Sequence, residues 1–248
     1  MKMKTNLCWL DPNQPFPALS ESWGAESNAP GLLCAGGTLD TDTLLDAYSS
    51  GIYPWFSEGQ PPLWWSPDPR MTLHVSEFRL HRSLKKTITK NRVRGDVEIR
   101  FDCSFDQVIT ACAKTARNGQ PGTWILPDMV EAYCNLNRAG YAHSVETWLS
   151  GKLVGGLYCV AIGKAVFGES MFSHCPDASK IALAALVCFC RQHNIRFIDC
   201  QQNTKHLASL GAKEISREKF LKLVKAGIDS PPVAWNFDPL YWNHILPP

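Results

Sequence analysis

Residues 142–172 read "AHSVETWLSGKLVGGLYCVAIGKAVFGESMF", and the spacing of their apolar residues predicts the fold class. Apolar and aromatic residues fall in three short segments between the breaks Ser150-Gly151-Lys152 and Gly163-Lys164, which predicts three strands joined by turns. The next segment, "PDASKIALAALVCFCRQHN" (176–194), predicts a largely buried helix capped by Asp177. A strand beginning "IRFIDC" and a short helix in "NTKHLASLGAKEI" follow. This order predicts an α+β fold with an antiparallel meander.

The same order of elements resembles the core of the GNAT acyltransferase superfamily. An acetyl-coenzyme A enzyme of that kind has a glycine-rich pyrophosphate loop between the third strand and the helix. Here the junction reads "SMFSHCPDAS" (170–179) and contains no glycine. We therefore expect a GNAT-like core whose acyl donor is something other than acetyl-coenzyme A.

The first seventy residues are irregular and proline-rich, which predicts a small N-terminal domain over 1–70 and a catalytic domain over 71–248. The span "IYPWFSEGQPPLWWSPDPR" (52–70) holds five prolines and three tryptophans. Because proline interrupts both helices and sheet ladders, this composition argues against a regular helix or a central strand. It predicts a rigid loop that presents aromatic rings.

Bulk composition limits the classes of function. The chain has 248 residues, 45% of them hydrophobic, and a formal net charge of +2, so any nucleic-acid site must be a local patch. No stretch approaches the roughly 20 apolar residues that span a membrane. The N-terminus also lacks the apolar core of a signal peptide. We therefore expect a cytoplasmic protein with no membrane partner.

The ten cysteines are scattered and form neither a CxxC pair nor a Cys/His cluster at zinc spacing. Several lie in apolar runs such as "LVCFC", so we expect reduced, mostly buried thiols and no metal site. A nucleophilic Cys200 is the sharper alternative. Alternation along a strand points its side chain away from the face of Asp199, which disfavours that role.

An acid and an amide end the apolar strand that contains "FIDCQ" (197–201). A carboxylate is expensive to bury without a partner, so Asp199 needs an explanation. Strand alternation places Asp199 and Gln201 on the same face. From the residues alone, two interpretations stay open: a structural aspartate held by backbone donors, or a reactive acid–amide pair.

Seven Lys or Arg residues and no acid lie between Phe78 and Gly95. Such a run is usually a solvated face, and it can also contact phosphates without reading base sequence. The candidates for phosphate contact are Arg82, Lys85, Lys86 and Lys90.

Nine short motifs occur together and in order: "GIYPWF", "WWSPDPR", "GTWI", "HSVETW", "VGGLY", "FGESMFS", "ASKIAL", "IDCQ" and "ASLGA". On these motifs, from about residue 31 to about residue 211, the chain closely resembles the leucyl/phenylalanyl-tRNA–protein transferase family. The resemblance implies transfer of leucine or phenylalanine, and less readily methionine, from aminoacyl-tRNA to a protein with an N-terminal Arg or Lys. That modification marks the protein for degradation by the N-degron rule.

The resemblance also implies roles for individual residues. Asp199 and Gln201 stand at the catalytic positions, and Glu169 at the position that contacts the cationic N-terminal residue of the acceptor. The aminoacyl and adenosine pocket is expected to comprise Trp55, Trp124, Leu157, Val166, Met171, Leu183 and Ile198. The basic run serves the tRNA. The family resemblance further implies a monomer, and no cofactor is expected because the aminoacyl ester is already activated.

Two other functions compete with this interpretation. The first is a coenzyme A acetyltransferase of the same superfamily, which the missing pyrophosphate loop disfavours. The second is a non-catalytic RNA-binding module built on the basic run, which leaves Asp199, Gln201 and Glu169 without a role. If Asp199 is catalytic, we expect Asp199→Asn to lower transfer sharply and to leave the melting temperature nearly unchanged.

Overall fold

The computed structural model describes residues 7–115 and 125–246. The strands are β1 Cys8–Leu10, β2 Leu32–Gly36, β3 Tyr53–Pro54, β4 Leu63–Trp65, β5 Arg70–His74, β6 Val97–Phe101, β7 Ala142–Leu149, β8 Lys152–Ile162, β9 Ala165–Ser173, β10 Phe197–Gln201 and β11 Lys213–Ile215. The α-helices are α1 Thr41–Ser49, α2 Arg82–Arg94, α3 Phe105–Lys114, α4 Pro127–Arg138, α5 Ala178–Gln192, α6 Lys205–Ser209 and α7 Arg217–Ile228. Short 3-10 helices cover Leu19–Glu21, Val75–Glu77 and Pro239–His244.

The described part of the chain forms one large sheet in the order β11-β5-β10-β9-β8-β7-β6. Its neighbouring strands are antiparallel except for β9 and β10, which run parallel because α5 returns the chain to the same end. The mixed α/β architecture and the order β7, β8, β9, α5, β10, α6 confirm the α+β prediction from the meander.

Both faces of the large sheet are covered, as the alternation along β8 shows. Leu157 and Cys159 pack into the core that contains α5, whereas Tyr158 and Val160 pack into the core that contains α3 and α4. The predicted burial of α5 is confirmed, since its middle from Ile181 to Cys190 is buried throughout. Fully burying each Leu, Ile, Val or Phe side chain stabilises the fold by about 1.5–3 kcal/mol.

A glycine sets how closely α5 approaches the sheet. A Cβ atom on Gly155 of β8 would lie 2.5 Å from the Cβ of Ala178, the first residue of α5.

Asp177 lies at the predicted N-cap position of α5, but its side chain does not make the predicted capping hydrogen bond. Asp177 occupies the N-cap position with φ 65°, but its carboxylate accepts a 2.8 Å bond from Lys180 Nζ instead of a bond from the helix backbone.

The N-terminal region builds a smaller sheet in the order β1-β2-β4-β3. Here the prediction of a plain loop over 52–70 is wrong, because β4 lies between β2 and β3 as an internal strand. The strand is only three residues long and ends before Pro67, so no proline lies within it. Trp64 is fully buried, and Trp65 is nearly so.

All ten cysteines are free thiols, and six of them are buried, which confirms the prediction of mostly buried cysteines. Within residues 7–115 and 125–246, no helix has the length and apolar character that crossing a membrane requires.

Candidate active site

A cavity of about 600 Å³ opens where β9 and β10 separate. The two strands are paired only at Ile198↔Val166 and Asp199↔Phe167. On its other side, β10 has an irregular register against β5 between Asp199 and Gln201, and Gln201 has φ 58°. This left-handed conformation is unfavourable for a residue with a side chain and turns the strand end away from its neighbour. Asp199 and Gln201 both line the cavity, and a bulge in β10 rather than the predicted simple alternation brings them there.

The apolar side of the cavity contains four of the side chains predicted for an aminoacyl pocket. Its lining includes Leu157, Met171, Leu183 and Ile198. Val166 is fully buried and does not line the cavity, because it lies where β9 and β10 are still paired.

Of the two tryptophans predicted for the pocket, Trp55 lies within the described residues and Trp124 does not. Trp55 lines the cavity, and its ring packs edge-on against Trp65 with a centroid distance of 5.4 Å. Its backbone carbonyl accepts a 2.6 Å bond from the indole N–H of Trp65, so the loop that carries it is held to the small sheet. Trp124 lies outside the described residues.

Asp199 is fully buried, and its partner is Arg70 on β5. The guanidinium donates from Nε to Oδ1 at 2.9 Å and from Nη2 to Oδ2 at 2.7 Å, a bidentate pair. Its carbon also lies 4.6 Å from the ring centroids of both Tyr53 and Phe220. The acid in the apolar strand is therefore neutralised inside the protein, and both of its oxygens are occupied.

Sequence reasoning missed Arg70, although a signal was present. Arg70 opens the apolar run "RMTLH" (70–74), just as Asp199 sits in "FIDC". Two opposite charges, each in a strand that reads as buried, are the pattern of an internal ion pair. The pairing of β5 with β10 brings them together across 129 positions of sequence.

Gln201 is held at both its backbone and its side chain. Its backbone N–H donates to Asp199 Oδ1 at 2.9 Å, a local turn typical of aspartate. Its Nε2 donates to Glu169 Oε1 at 2.8 Å. This bond assigns the amide nitrogen to the side of Glu169 and leaves the amide oxygen without a donor in the described part of the chain. The Arg70–Asp199 pair thus fixes the backbone from which Gln201 reaches the cavity.

Glu169 lies between the cavity and two buried tyrosines. Tyr48 donates to its Oε1 at 2.8 Å, and the hydroxyl of Tyr133 lies 3.2 Å from Oε2. The two hydroxyls also contact each other. Burial raises the pKa of Glu169 to about 8, against the hydrogen bond from Tyr48, which lowers it. Sequence reasoning missed both tyrosines, since they come from α1 and α4 and no spacing links them to β9.

Cys200 also lines the cavity, but its chemistry argues against a nucleophile. Burial, and then the charge of Asp199, raise the pKa of its thiol well above the usual value. Because the thiolate is the reactive form, a cysteine in this environment is inert at neutral pH.

The basic run forms α2, and it presents its cations to solvent. Arg82, Lys85, Lys86 and Lys90 are exposed and line a shallow groove, together with Thr89, Val93 and Arg94. Two buried residues of the same helix, Leu84 and Ile88, anchor it to the domain. Within the described residues none of the four cations forms an ion pair, so their charges are available to a polyanion.

Comparison with known proteins agrees with the geometry. The family model described as leucyl/phenylalanyl-tRNA protein transferase matches residues 72–225, and the model of that family's N-terminal domain matches residues 37–68. A leucyl/phenylalanyl-tRNA–protein transferase of Albidiferax ferrireducens is 62% identical over 98% of this chain and 95% of its own length. Those of a Polaromonas species and of Paraburkholderia phytofirmans are 59% and 54% identical over 99% and 97% of this chain, covering 96% and 98% of their own lengths.

Proposed function

The chain belongs to the leucyl/phenylalanyl-tRNA–protein transferase family, and from that premise we propose its substrates and the role of each site residue. The enzyme transfers leucine or phenylalanine, and less readily methionine, from aminoacyl-tRNA to the N-terminal Arg or Lys of acceptor proteins. The modified proteins are thereby marked for N-degron-dependent degradation.

One observation carries this proposal: a single cavity combines an apolar wall with a carboxyl group and an amide. The wall offers Leu157, Met171, Leu183 and Ile198 to an apolar side chain. Glu169 and Gln201 are joined by a 2.8 Å hydrogen bond at the other side. Such a site suits two substrates at once, one apolar at its reacting end and one cationic.

The donor is held at two places. Its leucine or phenylalanine side chain lies against the apolar wall, and its terminal adenine stacks on Trp55. An exposed aromatic face is worth about 1–3 kcal/mol to a stacked base. Trp124 remains a second predicted contact for the donor.

The reaction joins the acceptor's α-amine to the carbonyl carbon of the donor ester. A C–N bond forms, the ester C–O bond breaks, and the ribose oxygen leaves with a proton that the amine gives up. An α-amine has a pKa of about 8, so its neutral form is accessible near neutral pH. Gln201 orients this amine through its amide oxygen. Asp199 acts through Gln201, because it is fully buried and both of its oxygens are bonded to Arg70.

Glu169 receives the cationic side chain of the acceptor's first residue. Both oxygens of an ionised carboxylate can accept from an arginine guanidinium or a lysine ammonium. Its bond to Gln201 Nε2 supports this role, because the two proposed contacts are then neighbours, as the α-amine and the side chain of one residue require.

The tRNA body contacts Arg82, Lys85, Lys86 and Lys90 on α2. Phosphate contacts carry no sequence information, which suits an enzyme that accepts several tRNAs. The proposal further includes a GNAT-like fold for the catalytic core, division of the chain near residue 70, a monomeric state and a cytoplasmic location.

The central test compares two acceptors that differ in one residue. Purified protein is supplied with labelled leucyl-tRNA and either of two peptides, identical except for an N-terminal Lys or Ala. Transfer to the Lys peptide should exceed transfer to the Ala peptide by at least tenfold. Equal transfer to both would contradict the acceptor specificity, and no transfer to either would contradict the function.

A further inference from the structure

We propose that Tyr48, Tyr133 and Glu169 form a closed hydrogen-bond ring that keeps one proton on Glu169 in the free enzyme and releases it when the acceptor's cation binds. The two tyrosines are thus positioning residues for acceptor recognition. This inference rests on the proposed function, which places the acceptor's cation against Glu169.

The ring has three oxygen–oxygen contacts. Tyr48 reaches Glu169 Oε1 at 2.8 Å, the Tyr133 hydroxyl lies 3.2 Å from Oε2, and the two hydroxyls contact each other. Tyr48 and Tyr133 are fully buried, and neither lines the cavity. The tyrosines therefore lie behind Glu169, and the cavity lies in front of it.

The number of hydrogens available for the three contacts indicates which protonation state of Glu169 fits the ring. Each tyrosine hydroxyl carries one hydrogen, so an ionised Glu169 leaves two hydrogens for three contacts. One pair of oxygens would then face each other with lone pairs only. A protonated Glu169 adds the third hydrogen: it donates to Tyr133, Tyr133 donates to Tyr48, and Tyr48 donates to Oε1. Every contact is then a hydrogen bond.

The surroundings favour the same state. Besides Tyr48 and Tyr133, the titratable groups of other elements that interact electrostatically with Glu169 include Tyr53, Arg70, Cys159 and Asp199. Arg70 and Asp199 are paired with each other, so their opposite effects on Glu169 largely offset, and burial dominates. With a pKa of about 8, Glu169 is about nine-tenths protonated at pH 7.

Binding of a cation reverses this balance. A guanidinium or ammonium in the cavity stabilises the carboxylate and lowers the pKa of Glu169, so the proton leaves. An acceptor whose first side chain is neutral offers no such stabilisation and leaves the ring closed. The ring thereby couples recognition of the cation to the loss of one proton.

Isothermal titration calorimetry in two buffers of different ionisation enthalpy measures this proton directly. The ligand is a peptide capped with a 5-guanidinopentanoyl group, which carries an arginine side chain and lacks the α-amine. Any proton released on binding then comes from the protein. We expect about 0.9 proton per site at pH 7, from a pKa of about 8. Binding without proton release would overturn the inference, and so would failure to bind.

Leucine transfer to an arginine-starting peptide, measured in parallel, separates the two levels of the proposal. Normal transfer with no proton release on binding would contradict the proton-holding ring and leave the proposed function intact. Absence of transfer to any cationic acceptor would sink the proposed function.

Tyr133→Phe tests the ring itself. This change removes two of the three contacts and leaves the bond from Tyr48, which an ionised Glu169 accepts fully. We expect proton release at pH 7 to fall below the wild-type value, by the share that the ring adds to the effect of burial. Tyr48→Phe should act in the same direction and serves if the first variant folds poorly. Tyr241→Phe removes a hydroxyl that belongs to the C-terminal aromatic packing, and should release as many protons as wild type. Unchanged release in both ring variants would overturn the inference.

The pH profile gives an independent measurement. Wild type requires an ionised Glu169 and a neutral α-amine, so log(kcat/KM) should rise with a slope of about 2 between pH 6 and 7. Glu169→Gln keeps the third hydrogen, because its amide N–H can donate to Tyr133, and it cannot titrate. Its slope should fall to about 1, and its melting temperature should stay near that of wild type. A slope of 2 in this variant would contradict the role of Glu169.

Discussion

Substitution of Asp199 by Asn separates the structural role of this residue from its catalytic one. The carboxylate is fully buried and accepts two bonds from Arg70, at 2.9 and 2.7 Å. Asparagine keeps the shape and loses one acceptor. Its Nδ2 would then face Nη2 of Arg70, donor against donor, whereas the flipped amide would face Nε and the N–H of Gln201.

The cost follows from the burial of the pair. Breaking a buried ion pair by removing one partner costs about 3–5 kcal/mol, because the remaining charge stays buried and uncompensated. For a chain of 248 residues, a loss of 1 kcal/mol lowers the melting temperature by about 2–4 °C. Asp199→Asn should therefore melt about 6–20 °C below wild type. The sequence-based expectation of an almost unchanged melting temperature does not fit this buried pair.

A double variant isolates the catalytic contribution. Arg70→Met combined with Asp199→Leu replaces the ion pair by apolar groups of similar volume, which is often neutral or stabilising. Gln201 then has no acceptor for its backbone N–H, and only the bond from its Nε2 to Glu169 still holds it. Displacing a reacting group by about 1 Å can cost about a hundredfold in rate. We expect the double variant to recover most of the melting temperature and to transfer leucine about a hundredfold more slowly.

The assays are thermal melting by circular dichroism and initial rates of leucine transfer from labelled leucyl-tRNA. An unchanged melting temperature in Asp199→Asn would refute the reasoning about the buried pair. A double variant with wild-type stability and a wild-type rate would refute the positioning of Gln201 by Asp199.

Three further predictions concern the other substrate contacts. Changing Arg82, Lys85 and Lys86 together to Gln should raise KM for leucyl-tRNA with little change in kcat. The slope of log KM against log salt concentration should fall by up to about three, because each phosphate contact releases a counterion. Trp55→Ala should weaken aminoacyl-tRNA binding by about 1–3 kcal/mol in a filter-binding assay, and Trp55→Phe should recover part of the loss. Glu169→Gln should lower kcat/KM for Arg- and Lys-starting peptides at least tenfold more than for an Ala-starting peptide.

Each of these predictions has a control or a contrary outcome. Lys219, Lys222 and Lys225 are exposed on α7, and changing them to Gln removes the same charge, so their salt dependence should match wild type. If the triple Gln variants on α2 and α7 change the salt dependence of KM equally, net charge alone explains the effect. If Trp55→Ala binds aminoacyl-tRNA as tightly as wild type, Trp55 does not stack on the adenine. A uniform loss across acceptors in Glu169→Gln would indicate a structural role.

The alternation of residues 142–172 and the apolar helix after them were sufficient to predict the α+β class, since strand and helix periods are local properties of the chain. The same reasoning failed at β4, where three residues beside prolines form an internal strand because they pair with β2 and β3. It also failed at Asp177, whose side chain pairs with Lys180 rather than capping α5. At β4, pairing with other strands overrides the local preference, whereas at Asp177 a lysine three residues along the same helix takes the carboxylate.

The sequence alone predicted the order of elements from residue 142, the family motifs, the basic run and the acid and amide at the end of a buried strand. It could not show what surrounds them. Only the pairing of β5 with β10 joins Arg70 to Asp199, and only the packing of α1 and α4 behind β9 brings two tyrosines to Glu169. A carboxylate shows its chemistry through its partners and its burial, and both are decided by parts of the chain that lie far apart in sequence.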